Sequence, residues 1–416
     1  FMPCLLKKSS SSSPGIITFT HNEVLRGLPK KSRKVKEFLI RSTKERKWIF
    51  GVHIQGDCSH MNFWPKSEWE SFYMWSNPSD KFLSNIGKDK ISNLTCVNFL
   101  PYKEISNNIK KIWDICVVSR ASEIKRIKES LLIVKDLFSL KKDLKVVFIV
   151  PDPRELRLGD KSYSIKQIDR NYFELPKLIF SCEELKRISF ISSSQESFGN
   201  FPISDELMHE IIIKSKFVFL NSHKEGVPRI IIESFSKGVP CIVSKKLNSG
   251  INYLLNDKNT LYIDDEISLA SKQIYNGFIY YERFNIDSFA IQKEFCDIYN
   301  KDKLKDFLIK FIGSESHKEI DLWHLDDLIF RLACHGRKNN MQFLNNENIF
   351  FDWFSNINIT NSQLNEDLFF RNIKNVDKAF FSIFDLKEFL KSKLLFPLLS
   401  IIKSRLIIIL NYLNLI

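Results

Sequence analysis

The 416-residue chain has eight cysteines but no Cys-x-x-Cys pair. The cysteines are scattered, and several lie inside apolar runs with strand character. We therefore expect reduced core thiols in a cytoplasmic protein. A secretory signal is also missing, because Leu5-Leu6 is too short to be the apolar core of a signal peptide.

The chain also lacks an uncharged apolar tail of membrane-spanning length. The closing stretch 394–416 is long enough, but Lys403 and Arg405 lie near its middle. Each would cost about 2.5–3.5 kcal/mol at a bilayer centre. Its polar residues fall on one helical stripe opposite Leu and Ile, which predicts an amphipathic helix. Such a helix lies in the membrane interface, which we favour, or packs on the rest of the protein.

Positive charge is in excess, with a formal net charge of +13, yet no RNA- or DNA-binding signature accompanies it. The aromatic residues lie mostly in apolar runs and are not interleaved with the basic ones, so we expect no nucleic-acid partner. Basic clusters occur at 30–31, 33–34 and 44–47. They would attract an anionic membrane surface, at about 1 kcal/mol per basic residue. A solvated basic surface explains the same clusters equally well.

Two glutamates eight positions apart bracket the most informative stretch of the chain. The run 217–220 predicts a short buried strand, and Glu225 follows it at a Gly-x-Pro turn. A helix is predicted from 229 to 237, with Glu233 about two turns inside it and a glycine at its end. A second apolar run, 240–244, completes a β-turn-α-turn-β unit of a parallel sheet. Crevices at the carboxyl ends of such strands bind nucleotides, so both glutamates are candidate ligand-binding residues.

A second block lies about a hundred residues earlier. The run 114–118 predicts a strand, Arg120 follows its end, and an amphipathic helix extends to about Leu140. Lys125 lies at the junction between the strand and the helix. Cations at such a junction suit a phosphate, because Arg binds it bidentately and Lys acts as a point charge.

Together the two blocks resemble the family 4 glycosyltransferases, which carry a Glu-x7-Glu signature and an Arg-x4-Lys element on the two-lobed GT-B fold. The resemblance covers residues 113–312, roughly half of the chain. The chain departs from the family where glycine is usual, with Ser119 before the Arg and Arg126 after the Lys. After the strand 146–150, the usual Gly-x-Gly is replaced by Pro-Asp-Pro at 151–153.

The resemblance implies that Arg120 and Lys125 bind the diphosphate of the donor and stabilise it as it leaves. No Asp-x-Asp occurs in the chain. We therefore expect no metal bridge to the diphosphate, and no cofactor beyond the nucleotide-sugar donor itself.

The same resemblance gives roles to the Glu block. Glu225 would accept hydrogen bonds from the hydroxyls of the donor sugar, with the backbone amides of Gly226 and Val227 nearby. Glu233 would bind the ribose, because a carboxylate can accept both protons of a vicinal diol.

The first lobe gives the weakest signal. It lacks the glycine-rich strand-loop-helix with which the family opens, and it begins with a linker-like serine run at 9–13. We expect this lobe to be either truncated or diverged. His53, at the end of a predicted strand, is the candidate for a histidine in the cleft, with His21 and His60 behind it; a structural role at a strand end is the competing interpretation. The predicted strands of this lobe are 16–19, 48–53 and 94–99.

The predicted fold class is α/β and GT-B-like, with two Rossmann-type lobes, the first short or incomplete. The domains would be an acceptor-side lobe (1–112), a donor-binding lobe (113–312) and a helical extension (313–416). The predicted function is retaining transfer of a sugar to a glycan or lipid-linked acceptor, in cell-envelope polysaccharide or glycolipid synthesis. The protein would be cytoplasmic or peripheral on the inner face of the membrane. The alternative is a non-catalytic sugar-nucleotide-binding protein or membrane-surface scaffold.

Overall fold

Short runs rich in β-branched and aromatic residues form the strands of two larger sheets, one within residues 4–92 and the other within 113–263. In the computed structural model of the protein, the described residues are 3–54, 64–76, 78, 80–104, 109–119, 123–150, 156–158, 161–163, 175–191, 205–313, 319–332 and 347–356.

The first sheet has five strands, which lie side by side in chain order. The first two are antiparallel and the remaining pairs are parallel. The strands are β1 (Cys4–Lys7), β2 (Gly15–Thr20), β3 (Trp48–His53), β4 (Glu70–Met74) and β5 (Ile91–Ser92). The helices of this half are α1 (His21–Arg26), α2 (Leu28–Lys31), α3 (Arg33–Lys44) and α4 (Asp80–Ile86).

The second sheet has six parallel strands. They are β6 (Trp113–Val118), β7 (Val146–Ile149), β10 (Ile188–Ile191), β11 (Ser215–Leu220), β12 (Cys241–Ser244) and β13 (Thr260–Ile263). A separate hairpin is formed by β8 (Leu156–Leu158) and β9 (Lys161–Tyr163). The helices are α5 (Ile127–Leu140), α6 (Leu175–Ile179), α7 (Cys182–Leu185), α8 (Asp205–Ile213), α9 (Arg229–Phe235), α10 (Ile267–Ile279), α11 (Ser288–Phe295) and α12 (Asp297–Ile312).

The strand order of the second sheet is β10-β7-β6-β11-β12-β13. Counted along the chain this is 3-2-1-4-5-6, the doubly wound order of dinucleotide-binding folds. The order reverses between β6 and β11, so the switch point, where such sheets bind ligands, lies at the carboxyl ends of these two strands. The predicted α/β class with two parallel-sheet lobes is confirmed.

The predicted elements of residues 113–312 are also confirmed where the structure describes them, including the strands at 217–220 and 240–244 and the helix between them. In the first half, the strand predicted at 94–99 is wrong, because Cys96–Phe99 form one 3-10 turn that Thr95 caps. The strands β1, β4 and β5 were not predicted.

The chain returns to the first lobe after α12. The amide of Lys8 donates to the carbonyl of Leu322 (2.8 Å), and the amide of His324 donates to the carbonyl of Leu6 (2.9 Å). Residues 322–324 therefore cover the open edge of β1. An uncovered edge strand could pair with other chains. Two further helices, α13 (Leu328–Arg331) and α14 (Glu347–Asn356), follow.

The serine run 9–13 is a structured turn and not a linker. The carboxylate of Glu319 accepts hydrogen bonds from the hydroxyls of Ser10 and Ser12, both at 2.6 Å, and from Ser13. Lys7, which is fully buried, lies 2.9 Å from the same carboxylate. The serines thus supply the hydrogen bonds that a buried cation and its counter-ion require.

Candidate functional site

The candidate site lies at the switch point of the second sheet. Val218 of β11 pairs with Cys116 of β6, so the two strands end side by side. The segments that follow them therefore open onto one crevice. Lys125 lies in the first segment and Glu225 in the second. Arg120, the predicted first cation, lies outside the described residues.

Lys125 and Glu225 are in direct contact. Lys125 ends a 3-10 turn just before α5, and its Nζ donates to Oε1 of Glu225. The two side chains are 24% and 11% exposed, so solvent only partly screens the pair. Two residues that were predicted separately, a hundred positions apart in the sequence, thus meet at the switch point.

Unused hydrogen-bonding groups surround this pair within the described part of the chain. The amide of Glu225 donates to the carbonyl of Asn248 (3.0 Å), whereas the amides of Gly226 and Val227 donate to none of the described residues. The loop is tightly held, because the amide of Gly250 donates to the carbonyl of Gly226 at 2.6 Å. The two amides beside Glu225 are therefore available to an oxygen of a ligand.

Asn221 and Ser222 were not predicted as site residues. They follow β11 directly and are buried, and Nδ2 of Asn221 and Oγ of Ser222 have no hydrogen-bond partner among the described residues. Buried polar atoms are normally paired, so unpaired ones at a switch point indicate a ligand or another part of the chain. Their position at the end of an apolar strand was the only signal in the sequence.

Glu233 occupies a different part of the second lobe. It lies in α9, which begins after Pro228 and ends before Gly238, where a φ of 69° favours glycine. Its carboxylate pairs with Arg229 one turn earlier. Glu233 also lines a small cavity, and within the described chain neither Glu225 nor Lys125 belongs to that lining. The cavity is lined by residues of the segment 100–103, α8, α9 and α11, among them Lys103, His209, Arg229, Lys237 and Gln292.

The lining of the cavity beside Glu233 contains three cationic side chains, Lys103, Arg229 and Lys237, and one carboxylate. Burial, followed by the charges of Lys237 and Lys103, lowers the pKa of His209 to about 3. His209 is therefore neutral at physiological pH, and its Nδ1 has no partner in the described ranges. Because cations outnumber the single carboxylate, an anionic group is favoured there over a neutral one.

A network centred on Asp265 was missed by the sequence analysis. Asp265 follows β13, and its Oδ1 lies 2.5 Å from Nη1 of Arg126 and 2.7 Å from Nε2 of His223. Its Oδ2 lies 2.5 Å from Nζ of Lys246. Burial opposes ionisation, but these three donors hold the pKa of the Asp265 carboxyl well below its ordinary value. The network is adjacent to the Lys125–Glu225 pair in the chain, because Arg126 directly follows Lys125.

Arg126 occupies a left-handed backbone conformation, with a φ of 51°. The family that the chain resembles usually has glycine at this position, and glycine is the residue that adopts such a φ without cost. Here an arginine adopts this conformation and places its guanidinium against Asp265.

His53 is fully buried, with its Nε2 accepting from the amide of Cys96 at 3.3 Å. Burial, with the charge of His21 second, lowers the pKa of His53 to about 3, so the ring is neutral. Its Nδ1 has no partner among the described residues. This environment is that of a structural histidine, and the role in the cleft stays a prediction. His60 lies outside the described residues.

Another buried acid stands near the same sheet edge. Glu23 completes the capping box of α1, whose N-cap is Thr20. Its Oε2 accepts from the amide of Thr20 at 2.6 Å, and its Oε1 is unpaired in the part of the chain that is described. Desolvation by burial raises the pKa of Glu23 to about 7. The acid is therefore substantially protonated at neutral pH.

Among the described residues, no group of three or more His, Cys, Asp or Glu side chains is arranged to hold a metal ion. None of the helices described combines the length and the apolar character needed to span a bilayer. The predicted amphipathic tail, 394–416, lies outside the described residues.

The chain is similar in structure to several solved glycosyltransferases at low sequence identity. The pneumococcal O-GlcNAc transferase GtfA, in complex with UDP and GlcNAc, aligns at a TM-score of 0.46 and 13% identity, over 66% of this chain and 55% of GtfA. Anabaena HepE, in complex with UDP, aligns at a TM-score of 0.44 and 12% identity, over 66% of this chain and 77% of HepE. A glycosyltransferase from Rickettsia africae aligns at a TM-score of 0.44 and 14% identity, over 65% of this chain and 73% of that protein. The chain thus spans about half the length of GtfA. No family model and no curated protein matches it.

Proposed function

We propose that the protein is a retaining glycosyltransferase that moves a sugar from a nucleotide-diphosphate sugar to an acceptor hydroxyl. The observation that carries the proposal is the contact between Lys125 and Glu225 at the switch point of a doubly wound sheet. A cation for a diphosphate and a carboxylate for sugar hydroxyls lie together where such sheets bind nucleotides.

In this mechanism the bond between the anomeric carbon and the diphosphate oxygen breaks, and a bond to the acceptor oxygen forms. Lys125 and Arg120 stabilise the negative charge that grows on the leaving diphosphate, so no metal ion is required. The acceptor hydroxyl passes its proton to an oxygen of the leaving diphosphate, so the products are the glycosylated acceptor and the protonated nucleoside diphosphate.

Glu225 and its loop orient the donor sugar. The carboxylate accepts hydrogen bonds from sugar hydroxyls once Lys125 turns to the diphosphate, and the unused amides of Gly226 and Val227 donate to sugar or phosphate oxygens. Glu233 accepts from the ribose hydroxyls, and Arg229 pairs with its carboxylate.

The acceptor side of the proposal rests on the first lobe. The basic helix α3 and its neighbour α2 carry exposed lysines and arginines that suit an anionic or lipid-linked acceptor. Cell-envelope polysaccharide or glycolipid synthesis at the inner face of the membrane is the setting that we propose.

The second candidate is a sugar-nucleotide-binding protein without transferase activity. It is favoured by the internal pairing of both glutamates, Glu225 with Lys125 and Glu233 with Arg229. Turnover of a nucleotide sugar by the purified protein separates the two, because the second candidate binds the donor without consuming it.

The site assignment predicts that Arg120→Ala, Lys125→Ala and Glu233→Ala each weaken nucleotide binding by about 1–3 kcal/mol, the range for a lost hydrogen bond to a charged group. Titration calorimetry with nucleoside diphosphates measures this loss. Lys128→Ala is the matched control, because Lys128 is exposed one residue into α5 and has the same charge. Unchanged affinity in the three site variants would refute the assignment.

A further inference from the structure

One carboxylate that the proposed mechanism does not use links the loops that hold the two central site residues. Asp265 Oδ1 contacts Arg126, the residue after Lys125, and His223, which lies two positions before Glu225. These partners are 139 and 42 positions away from Asp265 in the sequence. A single side chain thus joins the start of α5 to the loop after β11.

The remaining contacts of this carboxylate extend the link to a third loop. Oδ2 lies 2.5 Å from Nζ of Lys246, which follows β12. The β12 loop is in turn tied to the β11 loop by the backbone, because the amide of Asn248 donates to the carbonyl of His223 at 2.8 Å. Besides the Lys125–Glu225 pair, the start of α5 is joined to this group through Arg126, which contacts both Asp265 and His223.

The backbone at Arg126 explains why the link matters. A non-glycine residue in the left-handed region costs about 1–2 kcal/mol, and the surroundings must offset that cost. The ion pair with Asp265 supplies a compensating interaction in a partly buried place, since the Arg126 side chain is 15% exposed. The conformation at Arg126 directs the turn on which Lys125 lies.

We propose that Asp265 is a positioning residue of the donor site, which sets the place of Lys125 relative to Glu225 by binding Arg126 and His223. The inference rests on the proposed function, and its ligand is a nucleoside diphosphate. Asp265 acts through Arg126 and His223 and does not touch the donor.

The neighbouring residue offers a matched control. Asp264 is also a carboxylate at the end of β13, but it pairs with Lys245 at 2.6 Å and Gln273 at 2.5 Å. Neither partner lies in the loops of Lys125 and Glu225. Asp264→Ala therefore removes an equal charge from the same turn without releasing Arg126 or His223.

The test compares the wild-type chain, Asp265→Ala, Asp265→Asn and Asp264→Ala by calorimetric titration with UDP, GDP and ADP and with the corresponding monophosphates. Both Asp265 variants should lose about tenfold in affinity for the diphosphate that the wild type binds, and less than about twofold for its monophosphate. The reason is that the link positions the diphosphate-binding lysine and leaves the nucleoside contacts in place. Asp264→Ala should match the wild type with both probes.

Two outcomes overturn the inference while the proposed function stands: equal diphosphate affinity in the Asp265 and Asp264 variants, or an equal loss for diphosphate and monophosphate, which marks general damage to the lobe. The Asp265→Asn variant keeps the shape of the side chain, so folding of at least one variant is expected. If the wild type binds none of the six nucleotides, the proposed function fails and the inference fails with it.

Discussion

Arginine is an unusual residue for the backbone conformation at position 126. Its φ of 51° lies where glycine is favoured, and its guanidinium is the link to Asp265. The side chain and the backbone therefore oppose each other: the ion pair stabilises the native loop, and the left-handed conformation costs about 1–2 kcal/mol.

Two substitutions at this position separate the opposing effects. Arg126→Gly and Arg126→Ala both remove the ion pair, but only glycine relieves the backbone. We expect Arg126→Gly to be more stable than Arg126→Ala by about 1 kcal/mol in the free energy of unfolding, measured with urea.

A matched pair elsewhere should give the reverse order. Lys36 is exposed in the interior of α3, where glycine is less favourable than alanine by about 1 kcal/mol. Lys36→Ala should therefore be more stable than Lys36→Gly. The same order at both positions would contradict the left-handed conformation at Arg126.

The sequence predicts some residues of the candidate site and not others, for a physical reason. Glu225 and Lys125 stand in local patterns of strand, turn and helix that resemble a known signature, so the sequence suggests them. Asp265 and His223 act through a contact between residues 42 positions apart, which no local pattern encodes. Asn221 and Ser222 likewise become candidate site residues only once the strand order places them at the switch point.

At the scale of elements, the second lobe follows from sequence far better than the first. Its strands are mostly apolar and almost entirely buried, as in other parallel sheets. In the first lobe, β4 begins with a buried glutamate, Glu70, which accepts from Trp64 at 2.6 Å and Tyr73 at 2.7 Å. The strand β1 includes Lys7, which depends on Glu319 far along the chain. A buried charged residue interrupts the apolar pattern in each of these strands, and it hides them from pattern analysis.

The helix α14 shows how a late element completes the first lobe. Phe350 is fully buried in the same core as Ile17 and Phe50. Phe354 packs edge-on against Trp48, with ring centroids 4.9 Å apart. The helix thus supplies aromatic side chains to a sheet that precedes it by three hundred residues.

Removing one of these side chains should destabilise the protein strongly. We expect Phe350→Ala to lower the free energy of unfolding by about 3–5 kcal/mol, the range for a large buried aromatic residue. Ser355→Ala, at an exposed position of the same helix, should change it by less than about 0.5 kcal/mol. Denaturant titration followed by tryptophan fluorescence measures both. Similar stabilities for the two variants would show that α14 does not belong to this core.

At the scale of the whole molecule, the two lobes share one continuous hydrophobic core. It includes Ile16 and Ile49 of the first sheet together with Val147 and Val218 of the second. The helix α12 extends the contact, because the ring of its Phe311 lies 5.7 Å from that of Phe72. The candidate site therefore lies on a lobe that is packed against the rest of the chain.

The central claim, that the second lobe binds a nucleotide-diphosphate sugar, is tested most directly by the melting temperature of the wild-type protein with UDP, GDP, ADP and their common sugar conjugates. A ligand at 100 times its Kd adds about 2.7 kcal/mol to the free energy of unfolding. The account predicts a clear rise in melting temperature with one base, and loss of that rise in Glu233→Ala. No rise with any of these nucleotides at millimolar concentration would contradict it.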